Sequence, residues 1–462
     1  MDLHYLDLLD VSRRIGSREL SPVEVTAAML RRINEVDSDL KSYVHVTAET
    51  ALEQARAAEV EITRGRSRGP LHGVPIAIKD LFETAGVKTA AGMPLRRNFI
   101  PSRDSTVVER LRSAGAIILG NLKLTEGAHA EHRPPVFEAP VNPWNRELWS
   151  GASSSGSGVA TAAGLCYGAL GTDTGGSIRL PAAVNGVTGL KPTWGRVSRA
   201  GVFELAALFD HIGPLARSAA DTGAVLGAIA GADPNDPTAS YEPVPDYLAD
   251  LSANLHGLRI GLDEELAFGE TEVVVEQSVR AGLEVFVSLG AELVKVEAPS
   301  VDAVARRYLQ LSGVQTAVAH AETYPSNREE YGSALSHVIQ LGRNLSATEY
   351  HSFQLLLMDF RSRLHGLFKG IDLLALPVLV SPAPTIKRMA GTNEEVIHSI
   401  IRFTAPFSMS GHPTINFPCG FAAGRAPISL QLVGPNFREA SLVKAGNAFQ
   451  QVTDWHKRRP IP

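Results

Sequence analysis

The stretch ALGTDTGGSIRLP, residues 169–181, joins the end of an apolar run to a glycine-rich turn and a serine. The stretch begins with apolar residues, as at the end of a buried strand. Gly175 and Gly176 then give the backbone the freedom to form a turn. Ser177, directly after such a turn, would present its hydroxyl outward while the surrounding backbone N–H groups converge on one anionic oxygen. The same letters fit a phosphate-binding loop or a merely tight turn, because short glycine-rich patterns are weak signals by themselves.

The composition of the 462-residue chain narrows the classes of function. Its net charge of −5 and the lack of a long basic block argue against a nucleic-acid partner. Cys166 and Cys419 lie far apart without metal-ligand spacing, which argues against a zinc site or disulfide framework and fits a reducing compartment. We find no secretory signal in residues 1–20 and no run of about 18 apolar residues. We therefore expect a cytoplasmic protein with no metal, cofactor or membrane partner.

A serine-rich run, SGASSSGSG, occupies residues 150–158. A flexible glycine–serine linker would separate two domains. This run instead passes directly into the small residues 159–163, which are typical of a closely packed helix, and the chain continues without a break to Ser177. We interpret the run as a polar loop that leads into this helix.

The segment GVPIAIKD, residues 73–80, contains a short apolar strand that ends at Lys79. A lysine at the end of an apolar strand usually extends its ammonium group to solvent. The alternative is a desolvated lysine whose pKa is lowered far enough for it to act as a base. Position alone leaves both interpretations open.

Other segments predict an α/β protein in which helices cover a sheet. A strand at 258–262, a helix at 270–289 and a strand at 292–296 alternate as in a βαβ unit. A strand at 117–119 is expected to close at Gly120 and Asn121, and a helix is expected at 393–403.

Two long helical patterns, at 301–322 and 346–368, flank a polar segment. We interpret 301–368 as a helical insertion that shapes the substrate entrance. Residues 122–149 predict a long irregular connection near a site; its His129 and His132 lack a third ligand at a spacing typical of a metal centre.

Taken together in this order, residues 73–80, 151–158 and 171–181 resemble the amidase signature family. The resemblance extends from about Val23 to the DWH at 454–456, which is most of the chain. It implies one α/β domain over 1–462, with a large mixed β-sheet covered on both faces by helices. It also implies a small-molecule amide substrate and a Ser–Ser–Lys catalytic triad, and it is compatible with a homodimer.

By this resemblance, the nucleophile falls on Ser177, the bridging serine on Ser153 and the lysine on Lys79. The family's serine run usually reads GGSSGGS, whereas this chain has GASSSGS, with Ala152 and an additional serine in place of two glycines. The additional hydroxyl leaves Ser154 as a rival for the bridging role.

The resemblance also assigns roles around the nucleophile. The backbone N–H groups of Thr174, Gly175, Gly176 and the nucleophile would form the oxyanion hole. Asp173 and Arg179 would form a structural ion pair that holds the turn.

Within the family, we expect a stand-alone amidase that hydrolyses a carbon–nitrogen amide bond, or an aryl carbamate, urea or ester. The alternative is the glutamine-hydrolysing A subunit of a tRNA-dependent amidotransferase, and residues 126–144 resemble free-standing amidases more closely. A non-catalytic relative is disfavoured because all three triad positions are present. A nucleotide-binding loop is disfavoured because no lysine follows Gly175 and Gly176 as a P-loop requires.

Overall fold

The strands of a computed structural model, which describes residues 3–390 and 394–460, form one mixed sheet. The strands are β1 (Tyr43–Val46), β2 (Pro75–Lys79), β3 (Ile117–Leu122), β4 (Gly168–Asp173), β5 (Thr188–Lys191), β6 (His211–Ala216), β7 (Arg259–Leu262), β8 (Glu292–Lys295), β9 (Leu373–Pro377), β10 (Thr414–Phe421) and β11 (Pro427–Val433). Their order across the sheet is β1-β3-β2-β4-β6-β5-β10-β11-β9-β7-β8.

Helices cover both faces of this sheet, which confirms the expected fold class. The α-helices of the described residues are α1 (Leu8–Gly16), α2 (Pro22–Leu40), α3 (Ala48–Thr63), α4 (Thr106–Ser113), α5 (Ser155–Ala162), α6 (Arg179–Asn185), α7 (Ala219–Ile229), α8 (Glu264–Phe268), α9 (Val273–Ser288), α10 (Val301–Ala305), α11 (Tyr308–Ala319), α12 (Ser333–Asn344), α13 (Ala347–Leu367), α14 (Ile386–Ala390), α15 (Glu394–Ile401), α16 (Ala405–Ser410) and α17 (Glu439–Val452). Within residues 3–390 and 394–460, no helix is both long enough and apolar enough to cross a membrane.

Two central strands of the sheet carry sequence motifs, and these strands end side by side. Strands β2 and β4 are neighbours and run parallel, with Ala77 opposite Ala169 and Ile78 opposite Leu170. Every residue of both strands is buried, as expected for strands with both faces covered. Because parallel strands end at the same edge, Lys79 at the end of β2 and Asp173 at the end of β4 lie on the same side of the sheet.

Strand β6 was not predicted from the sequence, and strand β3 extends beyond its predicted end. Strand β6 contains Gly213 and Pro214, residues typical of a turn, yet it lies between β4 and β5 with Pro214 opposite Leu170. Strand β3 runs through Gly120 and Asn121 to Leu122, because β1 pairs antiparallel with this extension. In both places long-range pairing overrides the local turn signal.

The segment 301–368 contains four helices rather than two. Helix α12 occupies about half of the segment described as polar, and its buried residues Leu335, Val338 and Ile339 recur at helical spacing. It packs against α11, which accounts for its stability. The helix expected at 393–403 is α15; Asn393 itself lies outside the described residues.

Candidate active site

The lysine at the end of β2 is fully buried and contacts two hydroxyl groups. Lys79 Nζ lies 2.7 Å from Ser153 Oγ and 2.7 Å from Thr172 Oγ1. Among the described residues, no carboxylate forms an ion pair with Lys79. Burial lowers the pKa of Lys79 to about 7, although the charges of Asp210 and Asp173 act in the opposite direction. A large share of this amine is therefore uncharged near neutral pH.

The two adjacent serines that compete for the bridging position have different partners. The Ser154 hydroxyl donates to the backbone oxygen of Thr172 at 3.2 Å and accepts from the Thr172 N–H at 3.3 Å. Ser153, which follows a cis peptide bond, is the serine whose hydroxyl contacts Lys79. Its neighbour is thus engaged with the backbone of β4, and Ser153 alone of the two reaches the lysine.

Ser177 lies in the turn between β4 and α6 and is partly exposed. Its backbone oxygen accepts a hydrogen bond from the Ser154 N–H at 3.3 Å, so the two loops are in direct contact. Its hydroxyl makes no hydrogen bond to any residue in the described part of the chain. The structure therefore joins Lys79 to Ser153 directly and leaves the Ser177 hydroxyl free on the adjoining loop.

The turn before Ser177 has a backbone that only glycine fits. Gly176 has a φ of +140°, and a Cβ there would lie 2.6 Å from Thr404 Oγ1. A Cβ on Gly175 would lie 2.5 Å from the ring of Tyr308.

The backbone donors of this turn are free. Within residues 3–390 and 394–460, the N–H groups of Thr174, Gly175, Gly176 and Ser177 donate no hydrogen bond to the protein. Four consecutive unpaired backbone donors beside a serine are what stabilisation of an oxyanion requires.

An ion pair fixes this turn from behind. Arg179 donates from Nη2 to Asp173 Oδ1 at 2.9 Å and from Nε to Asp173 Oδ2 at 3.0 Å, and both side chains are fully buried. Burial alone would raise the pKa of the Asp173 carboxyl, but the Arg179 guanidinium outweighs it and the pKa falls well below its usual range. Asp173 also accepts from the N–H of Ile178 at 3.1 Å, which ties the carboxylate to the residue after Ser177.

Three residues near the site were not identified from the sequence. Thr172 lies within the glycine-rich stretch, so its nearness to Ser177 was the available signal. Asp210 accepts from Thr174 Oγ1 at 2.6 Å, and burial raises its pKa to about 6. Tyr308 comes from α11 and packs on Gly175. The sequence carried no local signal for Asp210 or Tyr308, because both approach from distant segments.

The two histidines considered as metal ligands are partly buried, and the Nδ1 atom of each is inaccessible to solvent. His132 Nε2 lies 3.1 Å from the hydroxyl of Ser155, the residue that replaces a glycine of the family pattern. Burial lowers the pKa of His132 to about 3 and that of His129 to about 4, so both rings are neutral at pH 7. Within the residues that the structure describes, no group of three or more His, Cys, Asp or Glu side chains is arranged to hold a metal ion.

Several known proteins are similar to this chain over most of its length. A sequence model described as Amidase matches residues 24–443. A Mycobacterium bovis protein whose name describes it as an amidase, AmiD, is 46% identical over 459 residues, covering 98% of this chain and 96% of the relative. The A subunit of the glutamyl-tRNA(Gln) amidotransferase of Chloroflexus aggregans is 37% identical over 490 residues, covering 99% of each chain.

The crystal structure of the native peptide amidase from Stenotrophomonas maltophilia superimposes with a TM-score of 0.82. The two sequences are 28% identical, and the match covers 96% of each chain. The chain is thus a member of the amidase family, enzymes that hydrolyse carbon–nitrogen bonds.

Proposed function

We propose that this chain is a stand-alone amidase in which Ser177 is the nucleophile, Ser153 the proton relay and Lys79 the base. The observation that supports this most strongly is the fully buried Lys79, whose partners are two hydroxyls and no carboxylate. A serine hydroxyl is a weak nucleophile until a base removes its proton. A lysine with a pKa of about 7 is matched to that task near neutral pH.

In the proposed first step, the uncharged Lys79 amine accepts the Ser153 proton while Ser153 Oγ accepts the proton of Ser177. Ser177 Oγ then forms a bond to the carbonyl carbon of the amide, and the carbonyl oxygen becomes an oxyanion. The unpaired N–H groups of residues 174–177 stabilise that charge.

In the second step, the carbon–nitrogen bond breaks and the proton returns along the same path to the leaving amine, giving a Ser177 acyl-enzyme. Water then attacks the acyl carbon, its proton passes to the relay, and Ser177 leaves with a proton as the acid is released. No step needs a redox partner, because the net reaction adds one water across one amide bond.

The triad is tested with a panel of p-nitroanilides, aryl carbamates and primary amides. We expect Ser177→Ala to lose turnover by at least about 10³-fold with an unchanged melting temperature. Near-normal hydrolysis by Ser177→Ala would overturn the assignment. A fluorophosphonate probe should label the wild-type enzyme and not this variant, which separates the nucleophile from a role in folding.

The A subunit of a tRNA-dependent amidotransferase is the second candidate, because of the 37% identity to such a protein. That function would use the same serines and lysine to release ammonia from glutamine. It predicts negligible amidase activity by the isolated chain and glutaminase activity that appears only with added partner proteins and tRNA. Hydrolysis of simple amides by the isolated chain favours the stand-alone enzyme.

We further propose that segment 301–368 forms part of a single domain and shapes the substrate entrance. Tyr308, at the start of α11, lies against Gly175 of the proposed oxyanion loop. The C-terminal end of α11 and the residues after it line a surface groove that also includes Phe203. Replacing Tyr308 by Leu should therefore change the ranking of substrates in the panel, whereas an unchanged ranking would argue against this role.

A further inference from the structure

A groove of about 580 Å³ lies between the loop that follows β2 and the C-terminal end of α11. Its walls include Met93, Arg96, Phe99, Phe203 and His320. Phe203 also lines a narrow cavity that contains Thr172 and Asp210. Phe203 is therefore common to the groove and to the cavity that is lined by Thr172, whose hydroxyl contacts Lys79.

The loop that carries Arg96 is anchored to the catalytic loops. A Cβ on Gly92 would lie 2.9 Å from the backbone oxygens of Leu124 and Thr125, so the two backbones are in close contact. The Thr125 N–H in turn donates to the backbone oxygen of Ser153 at 3.4 Å. The position of Arg96 is thus fixed relative to the proposed relay serine.

Arg96 holds its guanidinium against two aromatic rings. Its Cζ lies 4.0 Å from the ring centre of Phe99 and 4.9 Å from that of Phe203. Such stacking occupies the faces of a guanidinium. Its edge, which carries the N–H donors, stays available for hydrogen bonds.

These donors have no partner in the protein. Within the described ranges, the Arg96 side chain forms neither a hydrogen bond nor an ion pair, and its Nε is buried. Burial lowers the pKa of Arg96 from its usual value, although Glu83 and Asp80 act in the opposite direction; an arginine nevertheless stays charged at neutral pH. A partly buried cation without a hydrogen-bonding partner is less favourable than a paired one, and a ligand anion would supply that partner.

His320, which also lines the groove, has a buried ring nitrogen without a partner in the described part of the chain, on the side that faces Gly127. His320 is 1% exposed, and its Nδ1 lies 3.0 Å from the hydroxyl of Tyr331, which is also 2.6 Å from Thr323 Oγ1. Burial lowers the pKa of His320 to about 4, so the ring is neutral at pH 7. When Tyr331 donates to Nδ1, the ring proton resides on Nε2, which has no partner in the described residues.

The one carboxylate that lines the groove, Glu322, is exposed and forms no ion pair with Arg96.

We propose, building on the amidase function above, that this groove binds a carboxylate of the substrate through the edge of Arg96. The planar fork of a guanidinium matches the two oxygens of a carboxylate, and the flanking rings hold it in one orientation. The preferred substrates are therefore amides that carry a carboxylate, on either the acyl or the amine part, rather than neutral amides of the same shape.

Two matched substrate pairs test the proposal and locate the carboxylate. Glutaryl p-nitroanilide is compared with pentanoyl p-nitroanilide for the acyl part, and N-butyryl-4-aminobenzoate with N-butyryl-4-toluidine for the amine part. The measured quantity is the ratio of kcat/KM for the anionic to the neutral member. In Arg96→Met we expect this ratio to fall at least about tenfold in one pair, as loss of a charged hydrogen bond predicts. Arg96→Lys should give an intermediate ratio.

Arg97→Met is the matched control, because Arg97 is exposed and donates only to the backbone oxygen of Pro94 at 3.2 Å. The ratio should equal the wild-type value in this variant. Ratios that are unchanged in Arg96→Met for both pairs, or that fall equally in Arg97→Met, would overturn the carboxylate site.

Failure of the amidase function itself is distinguished by a binding measurement. If the wild-type chain hydrolyses none of the four amides, calorimetric titration with the same four compounds replaces kinetics. Anionic amides that bind at least about tenfold more weakly to Arg96→Met than to the wild type support the groove even then. Equal affinity for both proteins, or no binding to the wild type, contradicts it.

Discussion

Two lysines end buried strands of the same sheet, and only one of them contacts groups that can exchange a proton. Lys79 ends β2 and Lys191 ends β5, and both are fully buried. Burial lowers the pKa of each, that of Lys79 to about 7 and that of Lys191 well below its ordinary value. Lys79 contacts two hydroxyls, whereas Lys191 donates to the backbone oxygens of Pro192 at 3.1 Å and His412 at 2.6 Å.

This difference in partners separates a candidate base from a structural lysine. A hydroxyl can donate as well as accept, so Ser153 can hand its proton to an uncharged Lys79. A carbonyl oxygen only accepts, so Lys191 can do no more than satisfy the two oxygens that it contacts. Desolvation is common to both residues and therefore does not by itself identify a catalytic lysine.

The sharpest test of this contrast replaces each lysine by methionine. We expect Lys79→Met to lower kcat by at least about 10³-fold, because Ser177 would have no base. Lys191→Met should retain kcat within about tenfold but lower the free energy of unfolding by about 2–4 kcal/mol, since two buried carbonyl oxygens lose their donor. Steady-state kinetics and urea denaturation measure the two effects.

Lys79→Arg is the matched control for charge. Arginine stays protonated and cannot act as the base, so this variant should be as inactive as Lys79→Met. An active Lys79→Arg enzyme, or a Lys191→Met enzyme as inactive as Lys79→Met, would remove the distinction between the two residues.

The sequence predicted the family, the mixed sheet and the segments that carry the site, because these depend on local patterns. Three motifs in order were sufficient to identify Lys79, Ser153 and Ser177 as candidates. Strand β6 was missed because Gly213 and Pro214 have the composition of a turn, and only pairing with β4 and β5 makes that segment extended. Helix α12 was missed because its segment was interpreted only as polar, although Leu335, Val338 and Ile339 recur at helical spacing.

The details that decide the chemistry could not be predicted, because they depend on contacts between distant segments. The sequence left Ser153 and Ser154 as rivals, and it could not distinguish a buried Lys79 from one that reaches solvent. Both questions depend on where β4 lies relative to the serine loop, since Thr172 engages the Ser154 hydroxyl through its backbone and Lys79 through its side chain. Asp210 lacked any local signal for the same reason.

The two serines give the second test. Ser153→Ala should lower kcat by about 10²–10³-fold, because it removes the hydroxyl that we propose to carry the proton from Ser177 to Lys79. Ser154→Ala should lower kcat by less than about tenfold and cost about 1–2 kcal/mol of stability, because its hydroxyl bonds only the Thr172 backbone. Equal losses of kcat in the two variants, measured with one substrate, would contradict the assignment of Ser153.

The pH dependence of catalysis gives the third test. Only the uncharged form of Lys79 can accept a proton, and its pKa is about 7. We therefore expect kcat/KM to rise about tenfold between pH 6 and pH 8 and then to level off. Lys191→Met should keep the same midpoint, because Lys191 exchanges no proton with the relay. A flat profile across this range would argue that Lys79 is not the titrating base.

The smallest effect concerns stability, and it tests whether Lys79 is as poorly solvated as its contacts indicate. An unfolded chain restores the ordinary lysine pKa of 10.5, whereas the folded protein holds it at about 7. Between these values the unfolded state binds the additional proton, so stability must increase as the pH rises. The loss of stability that comes from the lowered pKa of Lys79 is complete below pH 7, and it disappears only above the pKa of the unfolded chain. Between pH 7 and pH 8 we expect wild type to gain about 1 kcal/mol in the free energy of unfolding relative to Lys79→Met. Urea denaturation of both proteins at the two pH values measures this difference, in which the contribution of Lys191 cancels. A difference of zero would mean that Lys79 keeps its proton in the folded protein, and the contrast with Lys191 would then have to rest on hydrogen-bond geometry alone.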